Sequence, residues 1–206
     1  MPTLIEQHLI KGSSVEVPCQ TDTDYAKVAA NQCSWVAAQF AKRRDELFAT
    51  YVSDKRRFVE IYRECLCEGS RLRREHGKIS CGENIDNESV LEKTNIGSEV
   101  QEKWTYTENE IMLQMVKDFI PQDMLHEFCG RVHSRMPNLE LKDAVNFVLL
   151  SRHAQSFAAL PFEDKYLVLD SHTTYCGLMT KENLCNYIKM DGATPGGYLH
   201  AIMLFS

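Results

Sequence analysis

The chain predicts an α+β fold, with helices from its N-terminal half packed on an antiparallel sheet from its C-terminal half. Two patterns carry that prediction. Apolar residues recur at helical spacing from Cys33 to Cys65, and after Leu141 the period switches to short extended runs bounded by turn residues. The length sets the scale: 206 residues that are 44% hydrophobic suffice for one full core but not for two ordinary ones, so 1–206 reads as a single domain.

Residues 1–30 show little periodicity, and "GSSVEVPCQTDTDY" reads as loop around short extended pieces. From Cys33 a helix is expected that carries Phe40, Leu47 and Tyr51 on one face, with the basic "AKRRDE" between them. A second helix follows, striped by Phe58, Ile61, Tyr62 and Cys65. Residues 77–103 scatter single apolars among Gly, Asn, Ser and Glu and read as a long surface excursion, part of a family-specific insertion around 77–140. Inside it, Thr107 and Glu110 form a capping box ahead of Ile111, Met112, Met115, Val116 and Phe119, and Pro121 ends that helix and starts a shorter one. The runs "AVNFVLLSR", "SFAALPF" and "KYLVLDS" are strands, the last two joined as a hairpin would be. A helix capped by Thr180 and a final strand, "YLHAIMLFS", complete the order.

Bulk chemistry excludes several function classes. The net charge of −6 argues against a nucleic-acid binder. Between Lys42 and Lys78, eleven Lys or Arg stand against seven Asp or Glu, which reads as a solvated helix face. The N-terminal "MPTLIEQHLIKG" lacks the apolar core of a signal peptide, and no window is long enough to span a membrane. The expected setting is therefore the cytosol or nucleus, of a host cell if the chain is viral or a bacterial effector, and the chain reads as a monomer. There the eight cysteines (Cys19, Cys33, Cys65, Cys67, Cys81, Cys129, Cys176, Cys185) stay reduced. Cys65, Cys67, His76 and Cys81 are a conceivable zinc set, but their spacing is not that of an ordered site.

A thiol hydrolase needs a thiolate, a base to generate it, a group to orient the base, and donors for the oxyanion. Cys33 opens a helix, where unpaired N–H groups and the dipole favour a thiolate. In "YLVLDSHTT", Asp170 and His172 stand two apart in an extended strand end and share one face, so the carboxylate can fix the imidazole. His153 is a second candidate base, seventeen residues upstream of Asp170 and able to approach it across a hairpin. Gln20, thirteen residues before Cys33, offers a side-chain amide to complement the Cys33 N–H as oxyanion donor. Gln32 is nearer in sequence, but an adjacent side chain generally points away. Trp35 is a candidate wall for a substrate groove.

The ordered set "NQCSWVAAQF", "YLVLDSHTT" and the terminal "GYLHAIMLFS" resembles the deubiquitinating cysteine protease domain of the herpesvirus large tegument protein and its viral-tegument-like relatives. The resemblance covers about the first forty residues and the last sixty-five. It implies a papain-like cysteine protease fold, a deubiquitinase activity, ubiquitin or a ubiquitin-like protein and its conjugates as partners, and no cofactor. Gln20, Cys33, Asp170 and His172 fall on its functional positions in order. The chain reads Asp-Ser-His where the viral enzymes commonly have Asp-Pro-His, which removes a rigid turn residue and keeps both functional groups. The alternatives are a thiol protease for another ubiquitin-like protein or for peptides, and an inactive ubiquitin-binding module.

Overall fold

The computed structural model describes residues 5–21, 32–76, 90, 101–107, 145–152, 155–189 and 198–205. A short strand β1 (Val15–Glu16) precedes helices α1 (Cys33–Lys42), α2 (Arg44–Ser53) and α3 (Lys55–His76). Then come β2 (Gln101–Thr107), β3 (Val145–Arg152), β4 (Gln155–Phe162), β5 (Lys165–Leu169), β6 (Tyr175–Thr180), helix α4 (Lys181–Lys189) and β7 (Tyr198–Phe205). The seven strands form one sheet in the order β1-β6-β5-β4-β3-β7-β2, each neighbouring pair antiparallel. Helices and an antiparallel sheet were the expectation, and both are present.

Helix α1 is the centre of the packing. It is buried on nearly every side, through Trp35, Val36, Ala37, Ala38, Phe40 and Ala41, because α3 lies against one face and β4 against another. A helix that is apolar all round belongs inside a core rather than on a surface. Helix α3 is instead amphipathic: Phe58, Ile61, Tyr62, Cys65, Leu66, Gly69, Ser70 and Arg73 recur at three- and four-residue spacing on its buried stripe. Its start is fixed by Asp54, whose Oδ1 accepts from the N–H groups of Arg56 at 3.0 Å and Arg57 at 3.1 Å.

The two helices touch at Gly69. A Cβ there would lie 2.8 Å from the Val36 N, Cα and Cγ2 atoms, so only glycine lets α3 approach the backbone of α1. Gly69→Ala is expected to lower stability despite alanine's better helix propensity, because overpacking against backbone costs about 1–3 kcal/mol and the propensity gain is at most about 1 kcal/mol. Urea unfolding reads the difference. An unchanged or higher midpoint would overturn the close-packing account.

Three readings change. The helix foreseen from Cys33 through Tyr51 breaks at Arg43, whose φ of −111° and ψ of 20° turn the chain between α1 and α2. The Arg43 side chain is then held by Glu46 and Glu64. Residues 101–103 belong to β2, paired with β7 at the sheet edge, rather than to a surface excursion. Residues 175–180 form β6, which no apolar run announced and which β1 and β5 hold in place. The zinc set already disfavoured by its spacing fares no better: Cys65 is in the core while Cys67, about 200° further round the helix, is exposed. Cys81, the helices expected between 108 and 133, and most of the 77–140 insertion lie outside the described residues.

Candidate active site

Cys33 is the first residue of α1 and is only 3% exposed. The Ser156 N–H at the start of β4 points at its sulfur, 3.4 Å away, and beside it the Ser34 and Ser156 hydroxyls lie 3.0 Å apart. These contacts join the helix to the middle of the sheet. Strand β5 ends at Leu169, and the turn that follows carries Asp170, Ser171 and His172 before β6 begins. The sheet therefore delivers the polar groups, and the central helix delivers the thiol.

Asp170 is buried and tied down on every side. Its Oδ1 lies 2.7 Å from His172 Nδ1 and also accepts the His172 backbone N–H at 2.9 Å. Its Oδ2 accepts the Tyr187 hydroxyl at 2.6 Å, and its carbonyl accepts from the Thr173 N–H and hydroxyl. With Nδ1 engaged by the carboxylate, Nε2 is the ring nitrogen left for the hydrogen bond that His172 shares with Cys33. Groups from α1 and the β5–β6 turn are thus linked in the order Asp170, His172, Cys33.

Their protonation follows from that contact. Burial acts to raise the Cys33 thiol, but the hydrogen bond and charge of His172, with the N–H groups of Ser156 and Ser34, outweigh it and hold the thiol below its ordinary value. Burial likewise acts to lower His172, and Asp170 and Cys33 overcome it to push the imidazole up to about 10. Asp170 stays below the usual carboxylate range although burial opposes this, because His172 and Tyr187 bond to its ionised form. The combination favours a thiolate–imidazolium pair. Two other buried thiols, Cys65 and Cys176, shift upward through desolvation, Cys65 to about 12.

Gln20 enters the same network from the N-terminal segment. Its backbone N–H donates to the Ser171 carbonyl at 2.8 Å, and its Oε1 accepts the Ser171 hydroxyl at 2.8 Å. Its own carbonyl accepts Gln32 Nε2 at 3.0 Å, while Gln32 Oε1 accepts the Ser70 hydroxyl of α3 at 3.0 Å. Gln32 thus serves as a brace between α3 and the Gln20 backbone, one residue before the thiol.

Of the residues singled out in the sequence, Cys33, Asp170, His172 and Gln20 come together here. His153 lies outside the described residues. Trp35 does not line a groove: it is 1% exposed and stacked on His76, with ring centroids 5.3 Å apart. Sequence reasoning missed Tyr187 and the hydroxyl of Ser171. Tyr187 reads as one more apolar residue on an amphipathic helix, and its ring does pack edge-on against Phe157, so only its hydroxyl departs from the pattern.

An α+β fold in which a central helix brings a thiol to an imidazole and a carboxylate at the end of the sheet defines the class of structure. No family model and no curated protein matches the sequence. Among solved structures, the chain is similar to the ubiquitin-specific protease encoded by murine cytomegalovirus tegument protein M48, determined in complex with a ubiquitin-based suicide substrate. The two share 12% identity and superpose with a TM-score of 0.52 over 94% of this chain and 86% of that one. At that identity the likeness speaks for a shared fold.

Proposed function

We propose that the protein is a cysteine protease that releases ubiquitin from conjugates. The observation that carries this reading is the hydrogen-bonded line Asp170–His172–Cys33, with the thiol held low and the imidazole high. The fold shared with a viral ubiquitin-specific protease supports the choice of substrate. The Cys33 thiolate attacks the carbonyl of the ubiquitin C-terminal glycine. His172 gives its proton to the leaving lysine amine, then takes one from the water that hydrolyses the thioester. Asp170 fixes the ring and stabilises its charged form. The Gln20 Nε2 amide and the Cys33 backbone N–H receive the oxyanion.

A panel of propargyl-terminated probes, one built on ubiquitin and others on ubiquitin-like proteins, tests both chemistry and substrate. The expected result is a covalent adduct with the ubiquitin probe at Cys33, located by peptide mass spectrometry. Labelling by another modifier alone would move the specificity. No adduct with any probe would overturn the hydrolase reading in favour of a binding module.

A further inference from the structure

Gln20 has four polar groups, and three are committed: its N–H to the Ser171 carbonyl, its carbonyl to Gln32, and its Oε1 to the Ser171 hydroxyl. Only Nε2 carries no bond to another described residue. A glutamine amide presents a donor or an acceptor depending on a flip about its last torsion, so the end that is pinned decides which end serves the site. Ser171, 1% exposed and placed between Asp170 and His172, pins the acceptor end.

We infer that Ser171 is a positioning residue: its hydroxyl, by donating to Gln20 Oε1, holds the amide with Nε2 available to the developing oxyanion. This rests on the hydrolase reading above and adds to it a control on the oxyanion donor. The reverse flip would offer Oε1 to a negative oxygen and would strip the buried Ser171 hydroxyl of its acceptor. The same turn therefore serves two functions. Residues 170 and 172 set the base, and the residue between them sets the electrophilic partner contributed by the opposite end of the chain.

The test is a double-mutant cycle on a fluorogenic ubiquitin C-terminal amide, with iodoacetamide alkylation of Cys33 measured in parallel. Ser171→Ala is expected to lower kcat by about tenfold, a fraction of the roughly hundredfold expected for Gln20→Ala, because a misoriented donor is lost only part of the time. The alkylation rate, which needs Cys33 and His172 but no oxyanion, should stay at the wild-type value and so report that the fold is intact. In a Gln20→Ala background, Ser171→Ala should cost no further activity, and with Gln20 in place, Ser171→Thr, which keeps the hydroxyl, should retain most of the wild-type kcat. An equal cost of Ser171→Ala with and without Gln20, or a parallel fall in alkylation, would overturn the positioning role. Neither result would touch the hydrolase reading, which instead falls if the wild-type protein neither forms an adduct with any of the probes nor cleaves the fluorogenic amide.

Discussion

Cys33→Ala is expected to abolish turnover, by about 10⁵-fold or more, as removal of a nucleophile does in a concerted site. The change is sterically mild at a buried helix start, so the thermal midpoint should move little. Propargyl-probe labelling should vanish together with activity. Residual cleavage would send the search to Cys19 or Cys176. Cys176 is a poor substitute, since burial raises its thiol and its Sγ sits 3.8 Å from the Val15 carbonyl in the core. In the wild type, the reactive pair should persist over a pH window bounded below by the lowered thiol value and above by about 10, where His172 loses its proton. The signs follow from linkage. The raised imidazole adds stability below its ordinary value that is lost as pH climbs through about 10, and the lowered thiol adds stability at high pH that is lost as pH falls through its folded value.

His172→Ala carries the second large effect. Thiolate formation and leaving-group protonation both depend on that ring, so cleavage of a fluorogenic ubiquitin C-terminal amide should fall by about 10⁴-fold. Alkylation of Cys33 should also slow at neutral pH, and its profile should move upward, because the largest influence opposing desolvation of the sulfur is gone. His153→Ala should retain most of the cleavage. The reverse outcome would transfer the base to His153 and leave Asp170 to orient it.

What could be read in the sequence was what depends on near neighbours. Cys33 at a helix start is as expected, whereas Asp170 and His172 meet not on one face of an extended strand end but within a turn, where Asp170 Oδ1 also takes the His172 N–H. The order of helices then strands followed from the change of period. Other features depend on partners distant in the chain. Tyr187 reaches Asp170 across seventeen positions and Ser171 reaches Gln20 across 151, and no spacing rule forecasts either bond. Strand β6 was hidden for a similar reason: Gly177 interrupts it, and it is glycine because a Cβ would come within 2.9 Å of the Ser13 carbonyl. The break at Arg43 left no glycine or proline to mark it, since Arg43 N still reaches the Gln39 carbonyl at 3.1 Å.

The line from α1 to the β5–β6 turn has a consequence for how the protein comes into being. A ribosome that has added Cys33 must add well over a hundred further residues before His172 exists, an interval on the order of ten seconds at ordinary elongation rates. Until then the thiol has only the start of α1 and the Ser34 N–H to lower it, since Ser156 comes from β4 and His172 from the β5–β6 turn. On the proposed mechanism, a polypeptide cut short before the β5–β6 turn would hold α1 and its thiol without the imidazole that pairs with it, and its own chemistry would wait on the docking of the C-terminal strands.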